Sequence, residues 1–570
     1  MKKLLLSKYS WIYLLIALIA VNFFAAQFHY RIDLTKEKRY TLSEPSKKLL
    51  RNLNDKVSVT VFLDGDMPAG FKKLRNSTLE LLREFKEYGT GNLQFSFKRP
   101  GTDSTLGFTM DSLMRMGLKP TNVRVKAKEG EGEEQRYLFP GAVIGYRDRT
   151  APVDFLQGQD MQGGIESLNK AEALLEYKLV NAIQKISTDT VPLVGYLIGN
   201  GEPMTYNVFD LIDRTLKQNY RFTFLPIDSF PVIPHFFDAI IVVKPTTAFN
   251  DQQKLKLDQY VMNGGKLIWM IDRLYAEMDS LMRRQSDFVA FDRNLNLEDL
   301  LFKYGVRINA DLLQDLQCDK VPLVVGNFGD KPQMQLTDWP YFPLLSSYSN
   351  HPIAKNLNRV LSIFPNSIDT IKTPGITKTI LLASSSNSRT LITPAMVSLN
   401  SVKTEDDIKT FDKAHVPVAV LLEGKFSSLY SNRLSKGTLD SLANLYKQPF
   451  LSSATVANKM IVVSDADIVS NVFSQQKGPL EMGFNQFSQV QYANRDFILN
   501  CIEYLTNSSG ILETRSKDYT LRLLDSKKIN NNKTFWQVLN TVLPILIILL
   551  LGFIYQFFRK RKYQNLSRES

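Results

Sequence analysis

The sequence predicts an α/β protein that is anchored in a membrane at both ends. Two observations support this fold class. Short apolar runs alternate with helical segments of about 10–15 residues in the middle of the chain, and long uncharged apolar runs lie near both termini. Two cysteines in 570 residues are too few for a disulfide framework. Hydrophobic residues make up 44% of the chain, as in an ordinary globular protein.

Both terminal apolar runs are long enough to cross a membrane. Residues 11–28 are eighteen residues without a charge, and residues 538–558 are twenty-one. Cleavage of a signal peptide after Ala25 or Ala26 would place a phenylalanine at the −3 position, where a small residue is needed. We therefore expect an uncleaved first anchor at 11–28 and a second span at 538–558.

Basic residues flank both apolar runs. Residues 1–28 carry +3 of the net charge of +13 and residues 559–570 carry +4, which leaves +6 for the rest of the chain. The positive-inside rule places residues 1–10 and the basic tail 559–570 in the cytoplasm, so that 29–537 lie outside it. The remaining charge is dilute and forms no basic stripe, so we expect no nucleic-acid partner.

Residues 29–188 are predicted to form an extracytoplasmic α+β domain. It begins with a short helix that Thr41 or Ser43 caps, with Pro45 in the first turn. Apolar periodicity then predicts, in chain order, a strand at 57–62, a helix ending near Gly89, a strand at 93–97, a hairpin around 126–135 and a long helix at 165–186.

Residues 189–319 and 456–505 are predicted to be two parts of one doubly wound α/β domain. The run that begins at Val191 is apolar throughout, which is typical of a parallel strand covered on both faces. Prolines break up residues 320–455, which are predicted to be a partly β insertion. The other predicted elements are strands at 222–225, 239–243, 266–271, 379–383, 418–422 and 459–463, helices at 250–263 and 494–505, and a polar juxtamembrane connector at 506–535.

Motifs for enzymatic chemistry are missing. The sequence has no P-loop and no nucleophile elbow. Gly199-Asn200-Gly201 is a fragment of a dinucleotide fingerprint, and a tight turn from strand to helix is the favoured interpretation. Cys501 lies in an apolar stretch and is predicted to be buried, while Cys318 lies in a polar one; a bridge between them stays open. The histidines lack metal-ligand spacing, so we predict no catalytic residue, no cofactor and no metal site.

Acidic residues follow two of the predicted sheet strands. Asp272 follows one of them, and Asp465 and Asp467 follow another. If both strands belong to one parallel sheet, these carboxylates converge at its carboxyl edge, where such sheets bind ligands. A cation or a polar ligand could bind there, although turn formation and helix capping are the favoured interpretation. Glu202, beside the glycine turn, is a further ligand-binding candidate.

Blocks along nearly the whole chain together resemble one family. The first blocks are Asp33-Leu34-Thr35 and Arg39-Tyr40-Thr41-Leu42-Ser43 before the strand at 57–62. The later blocks are Gly199-Asn200-Gly201-Glu202, Leu257-Asp258-Gln259-Tyr260-Val261 through Gly264-Gly265-Lys266-Leu267 to Asp272, Leu300-Leu301 with Tyr304-Gly305-Val306, Ser464-Asp465-Ala466-Asp467, and Asn494-Arg495-Asp496-Phe497 before Asn500. With the two anchors, these blocks resemble the gliding-motility ABC-transporter auxiliary proteins, the GldG family.

The resemblance implies a non-catalytic subunit of an ABC transporter complex in the inner membrane of gliding bacteria of the Bacteroidetes type. Such proteins are described as auxiliary or substrate-binding components that work with a separate ATPase and a separate polytopic permease. The resemblance also implies that the bulk of the chain lies in the periplasm, with an amidotransferase-like α/β fold that lacks the cysteine nucleophile.

Three functions remain open from the sequence. In the leading one, movement of a permease reaches the outer domains through the 538–558 helix and the 506–535 connector. The alternative is an extracytoplasmic hydrolase of envelope polymers that uses Asp272, Asp465 and Asp467 as acid, base or metal ligands, since neighbouring carboxylates can do this when one has a raised pKa. The third is a scaffold without a ligand.

Overall fold

A computed structural model describes residues 41–65, 67–89, 91–99, 110–126, 133–157, 165–278, 287–328, 331–399, 405–507, 509–516 and 533–564, together with residues 15, 16, 18, 19 and 22. The chain divides into two compact units, residues 1–519 and 520–570. The α-helices are α1 Glu44–Arg51, α2 Ala69–Tyr88, α3 Met110–Arg115, α4 Ile165–Ser187, α5 Lys217–Asn219, α6 Asp251–Met262, α7 Glu298–Tyr304, α8 Glu405–Lys409, α9 Lys436–Asp440, α10 Asn494–Thr506 and α11 Lys533–Gln564.

Short strands and tight helical turns make up the rest of the regular structure. The strands are β1 Val57–Val61, β2 Leu93–Phe97, β3 Thr121–Lys126, β4 Glu133–Leu138, β5 Gly141–Tyr146, β6 Arg149–Asp154, β7 Leu193–Ile198, β8 Arg221–Pro226, β9 Ala239–Val243, β10 Leu267–Met270, β11 Leu274–Tyr275, β12 Phe288–Asp292, β13 Val306–Ile308, β14 Asp311–Asp315, β15 Cys318–Phe328, β16 Lys331–Leu345, β17 Val360–Leu361, β18 Ile368–Thr370, β19 Ile376–Ala383, β20 Ser388–Ile392, β21 Ala395–Val397, β22 Pro417–Gly424, β23 Asn458–Val463, β24 Phe473–Ser474, β25 Gly478–Pro479, β26 Phe484–Asn485 and β27 Val490–Gln491. Segments of 3₁₀ helix are Tyr206–Val208, Ile227–Ser229, Asp467–Val469 and Ile511–Ser516, and π-helical segments are Asp210–Leu216 and Ser441–Leu445.

The N-terminal part is built on a four-stranded sheet in the order β2-β1-β5-β6. β1 is parallel to β2 and antiparallel to β5. Buried Val57, Val59 and Val61 alternate with more exposed residues along β1, as the sequence predicted. α1 begins as predicted, because the Ser43 side chain accepts a hydrogen bond from the Ser46 backbone N–H. β3 and β4 pair as the predicted hairpin, and the residues between them, 127–132, lie outside the described residues.

The central layer is a seven-stranded sheet in the order β19-β22-β23-β10-β9-β7-β8. The strands β8, β7, β9, β10 and β23 run parallel. Numbered in chain order, these five have the spatial order 2-1-3-4-5 that is typical of flavodoxin-like sheets. In register, Leu267 of β10 lies between Ile240 of β9 and Met460 of β23. The alternation of strands and helices predicted from the sequence is confirmed for this layer.

Helices cover both faces of the central sheet. Along β9, Ile241 and Val243 belong to a buried cluster that also holds residues of the π-helical segment Asp210–Leu216 and of α10. The alternate residues Ile240 and Val242 belong to a second cluster with α6. Because successive side chains of a strand point to opposite faces, this arrangement is a doubly wound layer.

Residues 320–455, predicted to be a partly β insertion, supply two strands of the central sheet. β22 pairs antiparallel with β23, and β19 pairs antiparallel with β22. Other strands of the segment form smaller sheets, including β15-β16-β17. An aromatic cluster supports them, in which the rings of Trp339 and Phe364 lie 5.6 Å apart, edge to face. The segment is therefore packed into the α/β body.

Part of the predicted connector, 506–535, is buried. Ile511, Leu512 and Arg515 are 2%, 5% and 3% exposed. The sequence predicted a polar juxtamembrane connector here, and the structure places the Arg515 guanidinium 4.9 Å from the centre of the Tyr177 ring on α4. An aromatic face can hold a cation in this way, so the polar side chain is accommodated inside the body.

In the second unit, α11 is a candidate membrane span. The most apolar 18-residue stretch of its segment Thr534–Lys560 has a mean hydropathy of 2.5, and none of that stretch is buried in the protein. Pro544 lies inside this helix, as the sequence predicted for the span at 538–558. Among the described residues, α11 is the one helix that is long and apolar enough to cross a membrane. The predicted first span, 11–28, lies almost entirely outside the described residues.

Candidate functional site

Polar residues from three neighbouring parallel strands meet at the carboxyl edge of the central sheet. Lys244 follows β9 directly, Asp272 follows β10, and Asp465 and Asp467 follow β23. The Lys244 ammonium lies 2.6 Å from Asp467 Oδ1 and 3.1 Å from Asp272 Oδ2. The convergence of these aspartates, predicted from the sequence, is therefore confirmed.

Lys244 stands at the centre of this cluster in an unusual backbone conformation. Its φ of 46° lies in the left-handed region, which is uncommon for residues other than glycine. Its backbone N–H donates to the Met270 carbonyl at 2.8 Å. Its side chain is 16% exposed, and those of Asp272 and Asp467 are 9% and 14% exposed. The two ion pairs are thus largely withdrawn from water and help hold the backbone in this conformation.

Backbone and hydroxyl groups occupy most of the remaining carboxylate oxygens. Asp272 Oδ1 accepts a hydrogen bond from the Ala466 N–H at 2.6 Å. Asp465 Oδ1 accepts one from the Asp467 N–H at 2.7 Å, and its Oδ2 accepts from the Ile363 N–H at 2.8 Å and from the Ser362 hydroxyl. These bonds fasten the turn after β23 to the segment before β18.

Burial and charge shift the pKa values in this cluster in a consistent way. Burial raises the pKa of Asp465 well above its ordinary range, and the neighbouring Asp272 and Asp467 raise it further. Burial also raises the pKa of Asp272, although Lys244 opposes this. For Lys244, burial favours a lower pKa, but Asp467 and Asp272 together outweigh it and the pKa is raised. A lysine held in its charged form neutralises its neighbours and is a poor general base.

Glu202 belongs to the turn after β7. Its Oε2 accepts hydrogen bonds from the N–H groups of Gly199 at 3.0 Å and Asn200 at 2.8 Å. Burial raises the pKa of Glu202, while these N–H groups lower it. A Cβ on Gly201 would lie 2.1 Å from the Thr246 hydroxyl, so a glycine is required where the two loops touch. The interpretation as a tight turn is supported, and Glu202 caps that turn.

Sequence reasoning missed Lys244 as the partner of the acidic residues. The signal was the same one that identified Asp272, namely a polar residue directly after a buried strand. Pro245 follows Lys244 directly, and a proline at this place is typical of the start of a loop. Within the part of the chain that the structure describes, no group of three or more His, Cys, Asp or Glu residues is arranged to hold a metal ion.

The two cysteines contribute no reactive group to this edge. Both are free, so the open question of a bridge between Cys318 and Cys501 is answered. Cys501 is fully buried on α10, as predicted. Burial raises its pKa well above the ordinary value, which disfavours the thiolate.

One of the comparisons with known proteins links the chain to an ABC transport system. Residues 192–501 match the ABC transporter auxiliary family, described as an "ABC-type uncharacterized transport system", and residues 36–145 match a domain of unknown function, DUF7088. An uncharacterized protein of Borreliella burgdorferi is 20% identical over 560 residues, which cover 94% of each chain. The solved mmIFT52 N-terminal domain is 13% identical, with a TM-score of 0.30 over 55% of this chain and 98% of that domain.

The first of these matches includes most of the central sheet. It begins immediately before β7 and ends within α10, so it contains Lys244 and all four acidic candidates. It also covers more than half of the 570 residues. The chain belongs to the ABC transporter auxiliary family.

Proposed function

We propose that the chain is a non-catalytic auxiliary subunit of an ABC transport system, fixed to the membrane beside an ATPase and a polytopic permease. The family match over residues 192–501 carries this proposal. α11, as a candidate span, supports association with the membrane. The sequence has no P-loop, so the energy for transport has to come from another chain.

Mechanical coupling is the proposed mode of action, and the junction around Arg515 supports it. Arg515 Nη1 donates to Asn500 Oδ1 on α10 at 3.3 Å, and the guanidinium packs on Tyr177 of α4. Asn356 Nδ2 donates to the Arg515 carbonyl at 3.0 Å. A displacement that reaches this junction through residues 517–532 would act on two helices and one loop together, since all three are bonded to it.

The finer assignment follows the resemblance to the GldG family. We infer two spans, 11–28 and 538–558, in the inner membrane of a gliding bacterium, with both termini in the cytoplasm and the bulk in the periplasm. The basic residues that flank both apolar runs support this orientation. In this arrangement the subunit would contribute to gliding motility and to the binding of a transported solute.

The hydrolase of envelope polymers is the less well supported function. A general acid or base needs a carboxyl group that can reach a substrate. Asp465 is fully buried and bonded on both oxygens, and Asp272 and Asp467 share the ammonium of Lys244. This geometry favours a structural role, in which these contacts hold the strand ends together at the edge of the sheet.

Gentle detergent extraction of the tagged chain at native level, followed by mass spectrometry, tests the leading proposal. We expect an ABC ATPase and a polytopic permease in stoichiometric amounts. A control chain in which residues 534–560 are replaced by an unrelated apolar helix should stay in the membrane and lose both partners. Recovery of the native chain alone would overturn the proposal.

Deletion of the gene in its source organism tests the motility assignment. We expect loss of surface spreading that the intact gene restores. Normal spreading in the deletion strain would remove gliding from the proposal and leave the transport role to the co-purification experiment.

A further inference from the structure

A cleft lies along α7, outside the lysine–aspartate cluster. It consists of two adjoining cavities of about 490 and 570 Å³, which share Phe302 and Arg307 as lining residues. Volumes of this order are usual for sites that hold small organic ligands. Leu429 and Arg433 form part of the wall of the first cavity, and Asp369 of β18 forms part of the wall of the second.

The position of the cleft in the fold favours ligand binding. Arg273, which lines the first cavity, follows β10 closely in the chain. Pro417, which lines the second, begins β22, and β22 is antiparallel to the central strands. Both residues therefore lie at the carboxyl edge of the parallel strands, outside which α/β sheets bind ligands.

A buried carboxyl group holds two walls of the cleft together. Asp258 on α6 accepts hydrogen bonds from the Tyr304 hydroxyl of α7 at 2.9 Å and from the Leu429 N–H at 3.0 Å. It also accepts one from the Ser428 hydroxyl at 2.6 Å. Because these bonds connect α7 to the segment that carries Leu429, the cleft is formed before any ligand enters.

The acidic residues of the cleft are engaged by nearby cations. Lys254 Nζ lies 3.0 Å from Asp299, and Arg307 lies 2.5 Å from Asp369. Arg273 Nη2 lies 3.6 Å from Glu298 and 2.8 Å from Asp292. Each acidic side chain that lines the two cavities is therefore paired with a nearby cation.

Two exposed cations of the first cavity, unlike the others, are not paired with an acidic side chain of the described residues. Lys303 and Arg433 line it and are exposed. Neither has an acidic partner within 4 Å among the residues that the structure describes. The first cavity therefore offers positive charge that its own acidic residues do not neutralise.

We propose that this cleft binds a small organic anion with a carboxylate or phosphate beside an apolar group. Lys303 and Arg433 contact the anionic group, for which arginine provides paired donors and lysine a point charge. Phe302, 54% exposed, packs against the apolar group. The inference names a ligand class for the auxiliary subunit and rests on the proposed function for its role in transport.

Binding to the purified full-length chain in detergent tests this inference. The probes are phenyl phosphate and phenylacetate, with benzyl alcohol as the neutral control, measured by calorimetry up to millimolar concentrations. We expect saturable binding of at least one anion, weaker at higher salt, and no binding of the alcohol. Preference for one anion identifies phosphate or carboxylate as the group recognised.

Matched variants distinguish anion binding at the cleft from general electrostatic attraction to the chain. Lys303→Gln combined with Arg433→Gln should weaken anion binding by at least roughly tenfold, since two charged contacts are lost. Lys477→Gln, an exposed lysine of another segment, should bind as the native chain does. Phe302→Ala should weaken binding of the phenyl probes and leave any binding of inorganic phosphate unchanged.

Three results would overturn the inference. They are no saturable binding of either anion, equal binding by the double variant, or equal binding of benzyl alcohol. Both substituted cations are exposed, so the double variant should unfold thermally as the native chain does. The assay needs no partner chain, so its failure would leave the co-purification result standing.

Discussion

The ammonium nitrogen of Lys244 lies 2.6 Å from Oδ1 of Asp467, although 223 positions separate the two residues in sequence. Lys244 follows β9 and Asp467 follows β23, and β10 lies between these strands. The ion pair therefore joins loops on either side of β10. Asp272, which follows β10, shares the same ammonium, so one side chain fastens three strand ends.

Replacing Lys244 with methionine should destabilise the chain by about 3 kcal/mol, because two largely buried carboxylates lose their cation. Urea unfolding followed by the fluorescence of buried Trp269 and Trp339 measures this. Lys409→Met is the control, since Lys409 is 76% exposed in its pair with Asp406 and such pairs contribute little. Equal stability of the two variants would show that the ion pairs of Lys244 do not stabilise the fold.

Glu202→Gln should leave stability nearly unchanged. The amide oxygen of glutamine can still accept from the Gly199 and Asn200 N–H groups, and a buried charge is removed. Glu202→Ala should cost roughly 1–3 kcal/mol, because both N–H groups lose their acceptor. Thermal unfolding compares the two variants. A severe loss of transport in Glu202→Gln with unchanged stability would instead indicate contact with a ligand.

The sequence predicted the type and order of most elements of the central layer and the convergence of Asp272, Asp465 and Asp467. It did so because parallel buried strands are continuous apolar runs and their carboxyl ends share one edge. It could not predict that β19 and β22 complete the sheet, since strand pairing over long sequence separations leaves no local periodicity.

Two other features were also beyond sequence reasoning. The burial of Arg515 depends on Tyr177, a partner from a distant helix. The cleft at α7 depends on how Asp258 joins α6, α7 and Leu429. In both cases the decisive contact joins residues that lie far apart in sequence, and composition carries no information about it.

The stability of the chain should rise between about pH 8 and pH 10.5 through Lys178. Its ammonium donates to the carbonyl oxygens of Asp154, Phe155 and Gln157 at 2.9–3.0 Å. Burial lowers its pKa to about 8 from the ordinary 10.5. In this window the unfolded chain binds more protons than the folded one, so unfolding becomes less favourable as pH rises.

Lys178→Met isolates this effect, because other lysines and tyrosines titrate in the same window. The native chain should gain stability relative to the variant as the pH is raised from 7.5 towards 10 in urea unfolding. A difference between the two chains that does not change with pH would mean that Lys178 titrates at its ordinary value in the folded state.

Leu546→Arg should impair membrane insertion of α11, since an arginine at the centre of a span costs about 2.5–3.5 kcal/mol. Leu546 lies near the middle of Thr534–Lys560. Fractionation and carbonate extraction measure retention, and Leu546→Phe serves as the apolar control. Full retention and normal complex assembly of the arginine variant would count against α11 as the fixed anchor.

The place of β23 in the sheet also sets the order of events during folding. β23 lies between β10 and β22, yet residues 271–457 separate it from β10 in the chain. Until residue 463 has been synthesised, the edge of β10 that faces β23 has no partner. Closing the long loop between these two strands carries an entropic cost that slows folding. The growing chain thus exposes an apolar strand edge while residues 271–463, about a third of the chain, are synthesised, and during this interval the exposed edge favours binding by chaperones and cleavage by proteases.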